Sequence, residues 1–207
     1  MSQEKLRTAL ITGASKRIGR AIAEDLSANG FSVALHAHQS FAEAAEIAAK
    51  LRQAGRKAIA IKADLQNFGE TSTLVERVTD TLGPLDLLVN NASAFLGDSA
   101  ERFDSEAFDA HFAVHVRAPS ILAADFVRQL PEPHPGLIVN MVDQRVWALN
   151  PRFYSYTLSK AALWAATQTM AQSFAPRIRV NAIGPGRRCA AFDSRRRTFK
   201  RRSTASY

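Results

Sequence analysis

"RTALITGASKRIGRAIAEDLSANG", residues 7–30, sets the fold class. Its first part, 7–12, is a short apolar run that ends at a glycine turn, as a buried parallel strand does. Ile18, Ile22 and Leu26 then recur at helical spacing, and Gly30 supplies a C-terminal stop. Between the two, Gly13 permits a tight turn and Gly19 lets helix and strand approach closely. A helix opening straight off a strand offers free N–H groups and the positive end of its dipole to a pyrophosphate. A plain strand-to-helix connection has the same outline, but the position of the turn and its neighbours favour the dinucleotide reading.

Outward from this unit the same alternation repeats. Strands are expected at 31–36, 57–64, 85–90, 136–142 and 178–183, and helices near 41–54, 68–82, 105–130 and 155–175. Gly55, Gly83-Pro84 and the Pro131, Pro133, Pro135 cluster punctuate them. Strands alternating with helices imply an α/β fold: a Rossmann-type doubly wound parallel sheet of six recognisable strands. Ligands bind such sheets outside the carboxyl ends of the strands, so chemistry is expected just after each strand.

The 207 residues suit one domain with a sizeable core. The formal net charge of +8 points toward nucleic acid until it is located. Eight of the 27 Lys and Arg, with one acid, fall in 187–207, so residues 1–186 are nearly neutral. The expected division is therefore a dinucleotide-binding domain over 1–186 and a basic, disordered tail over 187–207. The tail lacks interleaved aromatics and a helical face, which argues against nucleic acid and membrane partners. One cysteine, Cys189, no leader-like segment and no long apolar run fit a reduced, cytoplasmic setting.

After the second strand, "LHAHQS" (35–40) carries no acid to accept from a ribose 2′-OH. His36, His38 and Ser40, with Lys16 and Arg17, suit a 2′-phosphate, which favours NADPH. Alternate spacing puts the two histidines on opposite strand faces, so no metal site is expected. Tyr156 and Lys160 are four apart and share a helix face. An ammonium near a phenol favours the phenolate, and such a pair passes protons while a nicotinamide moves hydride.

Taken together, "TGASKRIG" (12–19), "NNAS" (90–93) and "YTLSK" (156–160) resemble the short-chain dehydrogenase/reductase family, and within it the pteridine reductase branch. Arg17 stands where the family turn has its middle glycine, and "KR" there is similar to that branch. The resemblance covers about 6–186. It implies cofactor contacts from Gly13, Ser15, Lys16, Arg17, Ile18, Gly19, His36, His38, Ser40, Asp64, Leu65, Asn91, Ala92, Ser93, Tyr156, Lys160, Pro185 and Gly186. Substrate contacts are implied for Arg17, Ser93, Phe95, Asp143 and Tyr156. The catalytic set is Tyr156 as proton donor, Lys160 as its activator and ribose anchor, and Asp143 as relay, in the place of the usual serine. The implied substrate is a small molecule, a pterin or folate with a C=N bond. A carbonyl reductase of the same fold, and an inactive truncated form or a tail-driven nucleic-acid binder, are the competing readings.

Three departures stand out. Gln39 replaces an arginine of the branch's H-x-H-R-S pattern, His115 replaces the family's usual asparagine, and the sequence after Gly186 does not read as the family's seventh strand. A frameshifted or truncated ending is therefore expected, with homo-oligomer contacts dependent on a native ending.

Overall fold

The computed structural model describes residues 7–186. The basic tail and Cys189 lie outside the described residues, as do 1–6. Among the described residues six strands form one parallel sheet: β1 (Arg7–Ile11), β2 (Phe31–Ala37), β3 (Ala58–Lys62), β4 (Leu87–Asn90), β5 (Gly136–Met141) and β6 (Ile178–Ile183). Their order is β3-β2-β1-β4-β5-β6. The order reverses between β1 and β4, so the two halves of the sheet open a crevice at the strand ends there.

Period-2 alternation splits the side chains between the two faces. On one face Leu10, Leu88 and Ile138 pack with Leu74, Val75, Val78, Leu122 and Phe126. On the other, Ile11, Val33, Leu35 and Val89 pack with Ala23, Ala44 and Ile47. The second set belongs to α1 (Arg17–Ala28) and α2 (Phe41–Gln53). The first belongs to α4 (Leu74–Leu82) and α6 (Ala118–Gln129), with α7 (Tyr154–Phe174) alongside. Both faces are covered, as an all-parallel sheet requires.

Two expected helices differ in detail. The stretch 68–82 divides at Thr73 into α3 (Phe68–Ser72) and α4. Thr73 Oγ1 bonds back to the carbonyls of Gly69 and Glu70, competing with the helical ladder. The stretch 105–130 is continuous, but between α5 (Ser105–Phe112) and α6 it widens into a π-helical turn, Ala113–Arg117. Such turns recur at functional sites. None of the helices among the described residues is long and apolar enough to cross a membrane.

Candidate active site

The turn after β1 is held by a network that begins at Thr12. Its Oγ1 accepts from the backbone N–H groups of Asn91 and Ala92, both at 2.9 Å. The Asn91 amide donates back to the carbonyls of Thr12 at 2.9 Å and Gly13 at 3.0 Å. Asn91 thus ties the β4 end to the β1 turn. Gly13 has φ +64°, and a Cβ there would lie 2.8 Å from Ala92 Cα. A Cβ on Gly19 would lie 2.3 Å from the Gly13 carbonyl oxygen. Only glycine fits either place, and together they leave an open cradle at the α1 N-terminus, whose first turn carries no acid.

Arg17 opens α1 with φ +49°, in the left-handed region. This is the position at which the resembling family has glycine. A side chain here costs about 1–2 kcal/mol of backbone strain. The cation read from the sequence therefore comes with a conformational cost that the sequence does not display.

Two cavities follow the strand ends and meet at Ser93. The larger, about 480 Å³, is lined by Lys16, Arg17, Ile18, Gly19, Asn91, Ser93, Phe95, Asp143, Tyr156, Lys160, Pro185 and Gly186. The smaller, about 280 Å³, is lined by Gly13, Ser15, His36, His38, Ser40, Asp64, Leu65, Ala92 and Ser93. The topology thus gathers every site residue read from the sequence along one continuous crevice. The larger cavity adds Met141, Val142 and Arg145, which the sequence reading missed.

His36 reaches the smaller cavity with its ring already engaged. It is 2% exposed, its Nδ1 accepts from Gly13 N–H at 3.3 Å, and its Nε2 bonds the Ala63 carbonyl at 2.9 Å. Both ring nitrogens are used inside the protein, so the ring braces the turn rather than offering a free donor to a phosphate. Burial pulls its pKa down to about 4, so the ring is neutral. His38 faces Asp64 at 3.8 Å, and Ser15 and Ser40 share a 2.6 Å hydrogen bond. Lys16 pairs with Glu43 at the surface.

In the larger cavity the Tyr156 hydroxyl donates to Asp143 Oδ2 at 3.1 Å. The same carboxylate accepts from the Arg145 backbone N–H at 2.9 Å and from its guanidinium at 3.2 Å. An Asp accepting from the backbone two residues on is a local turn signature, and it is the one sequence signal that could have placed Arg145 here. The guanidinium lies 5.8, 5.3 and 5.6 Å from the ring centroids of Phe95, Phe153 and Tyr156. Phe95 stacks on Phe153 at 4.6 Å and meets Tyr156 edge-on at 4.9 Å. Phe153 backs the Phe95 ring and Tyr156 stands perpendicular to it, and Phe95, still 55% exposed, offers its remaining surface to a planar guest.

Burial raises the Tyr156 pKa well above that of an ordinary phenol, Asp143 adds to the rise, and Arg145 opposes it. The expected downward pull from Lys160 is not what dominates. Lys160 Nζ donates to the Met141 carbonyl at 2.7 Å and lies 5.9 Å from the Tyr156 ring centroid. Burial brings its own pKa down to about 8. Asp98 holds the start of α7 by accepting from Ser155 N–H at 3.1 Å and from the Ser155 hydroxyl, which fixes where Tyr156 begins its turn. Beneath the site, His115 is 1% exposed, with Ser93 Oγ at 3.0 Å on one nitrogen and Ser159 Oγ at 2.8 Å on the other. No group of three or more His, Cys, Asp or Glu side chains is placed to hold a metal among the described residues.

Comparison with known proteins agrees with this geometry. Residues 7–199 match the family model described as short chain dehydrogenase. The crystal structure of FolM alternative dihydrofolate reductase 1 from Brucella suis in complex with NADP superposes with a TM-score of 0.84. It is 51% identical, over 87% of this chain and 75% of that one. Pteridine reductase 1 of Leishmania tarentolae is 34% identical, over 86% of this chain and 75% of its own length. The uncharacterized oxidoreductase YjdA of Bacillus subtilis is 33% identical, over 89% of this chain and 75% of its own.

Proposed function

The chain belongs to the short chain dehydrogenase family, and on that premise we propose that it reduces a C=N bond in a pterin- or folate-type heterocycle, with NADPH as reductant and Tyr156 as proton donor. As an NADP-dependent oxidoreductase it needs a cradle for a dinucleotide. The residues fit one: Gly13 and Gly19 leave the space that a Cβ would fill, and the α1 N-terminus faces it. Bound there, the nicotinamide supplies the hydride.

This chain's own residues supply the rest. In this reading His38, Ser40, Ser15 and Lys16 around the end of β2, with Asp64 and Leu65 after β3, hold the adenosine half. Lys160 is anchored on the Met141 carbonyl with donors left for a ribose hydroxyl. Phe95 and Arg17 flank the guest ring, and Asp143 offers a carboxylate to its amino group. Tyr156, held as a phenol, gives its proton to the nitrogen as the carbon gains hydride, so the C=N bond becomes CH–NH.

The observation that carries this reading is the Asp143–Tyr156 hydrogen bond beneath the Phe95 ring. A plain ketone needs the phenol but not a carboxylate beside it. The relatives named for pteridine and dihydrofolate reduction support the same choice. Steady-state oxidation of NADPH with dihydrobiopterin and dihydrofolate, against a panel of ketones, tests it. Turnover confined to the ketones would overturn the pterin reading and leave a carbonyl reductase of the same fold.

A further inference from the structure

We infer that His115 positions the Ser93 hydroxyl so that Ser93 meets the ligand only as a hydrogen-bond acceptor, making that point of the crevice selective for an N–H group. The assignment of this group to a heterocycle's amino substituent rests on the pterin reading above. The hydrogen-bond polarity itself does not.

The argument starts at the buried end of the chain. Ser159 Oγ is fully buried and has two close partners: the Tyr156 carbonyl at 2.8 Å and His115 Nδ1 at 2.8 Å. A hydroxyl has one hydrogen. Were Nδ1 bare, that one hydrogen could serve only one of the two 2.8 Å contacts, and the other would set lone pair against lone pair in a water-free place. With the proton on Nδ1, both contacts are hydrogen bonds: Ser159 donates to the carbonyl and accepts from the imidazole.

Burial then decides the other nitrogen. His115 is faced by Lys160, by His111 stacked at 5.6 Å, and by the Tyr156 ring edge-on at 5.4 Å. Desolvation, with Lys160 and then His111 adding to it, pulls its pKa to about 2, so the ring carries one proton only. Nε2 is bare and accepts from the Ser93 hydroxyl at 3.0 Å. Ser93 also lies 3.1 Å from the Ala94 carbonyl and within hydrogen-bonding reach of the Tyr156 hydroxyl, but the phenol already donates to Asp143, and Ser93 is on the exposed side, where water can satisfy the carbonyl. The costly end of the chain sets the direction and the open end follows. Ser93, which lines both cavities, is left with lone pairs toward the guest.

The π-helical turn is what delivers the ring. His115 sits within Ala113–Arg117 and reaches from that helix to Ser159 on α7 and to Ser93 after β4. The family's asparagine would reach less far, and its amide could donate to Ser93 and free the hydroxyl hydrogen. This histidine is therefore a positioning residue that acts through Ser93.

Nitrogen NMR of histidine-labelled protein tests the polarity directly. The expected result is hydrogen on Nδ1 and a bare Nε2 from about pH 5 to about pH 9, with the Nε2 signal moving in Ser93→Ala. Hydrogen on Nε2, or protonation of His115 within that range, overturns the inference whatever the substrate is. Kinetics tests the selectivity with a dihydropterin and its counterpart carrying an oxo group in place of the amino group. The protein should favour the amino compound in kcat/KM by roughly ten- to a hundredfold, and His115→Asn should erase most of that ratio, chiefly through KM. An unchanged ratio in folded His115→Asn overturns the inference. Absence of turnover with either compound instead sinks the pterin reading, and the NMR result still decides the hydrogen-bond polarity.

Discussion

Tyr156 and Asp143 share one hydrogen bond, 3.1 Å long, and Arg145 grips the same carboxylate from the other side. Burial and the Asp143 carboxylate keep the phenol protonated against the pull of Arg145, and the carboxylate gives it a fixed acceptor. An acid that is hard to ionise in the free site is a proton donor in waiting, which suits the reducing direction.

Tyr156→Phe removes that donor while keeping the ring that packs on Phe95. Turnover should fall by roughly 10²- to 10⁴-fold. Binding of NADPH, followed by fluorescence, should change by no more than about twofold. A variant that keeps a tenth of its activity would remove Tyr156 from the proton-donor role.

The neighbours of Tyr156 push its ionisation in opposite directions, so two substitutions should move the alkaline limb of the kcat/KM profile in opposite directions. Asp143→Asn removes a negative charge and should shift the limb to lower pH. Arg145→Gln removes a positive charge and should shift it to higher pH. Shifts of the same sign would show that the limb belongs to another group.

Acid should unfold the protein before its carboxylates are fully protonated. His36 and His115 have native pKa values of about 4 and about 2, below the ordinary 6.5. Below 6.5 the unfolded chain binds protons that the native state refuses, so stability falls as pH falls. Each histidine contributes about 1.4 kcal/mol per pH unit, His36 down to about pH 4 and His115 further. Denaturant melts between about pH 6.5 and 5 measure the slope, and a flat profile would contradict the burial of both rings.

Gly19 and Arg17 make a matched pair of opposite tests in one turn. Gly19→Ala drives a methyl into the Gly13 carbonyl and the Asn91 amide, at 2.3 and 2.5 Å, and should cost about 3 kcal/mol or more. Arg17→Gly relieves a left-handed residue and should raise stability by up to about 1 kcal/mol while weakening NADPH binding. Thermal melts with and without NADPH separate the two effects. A stabilised Gly19→Ala would refute the close approach.

The sheet was legible because its strands are short apolar runs closed by glycine, proline or asparagine, and most residues that line the crevice follow one of them. Tyr156 and Lys160 were legible because one helix carries both. What was hidden depends on groups far apart in the chain. Asp98 holds Ser155 across 57 positions, and nothing in either neighbourhood announces it. His36 reads as a polar strand end until Gly13 and Ala63 are seen on either side of its ring. Thr73 and the turn at 113–117 break no apolar pattern, so two helices looked uniform that are not.

That turn at Ala113–Arg117 has a further consequence. A helix is a phased object: each residue advances the face by about 100°. The wider turn resets that phase midway, so α5 and α6 hold their inward faces independently. Removing one residue there would rotate Leu122 and Phe126 off the sheet, or else swing His115 away from Ser93. Substitution in this turn, His115 aside, leaves that phase in place, whereas a change in the number of its residues does not. The length of this segment is as much a determinant of the site as the side chains that line it.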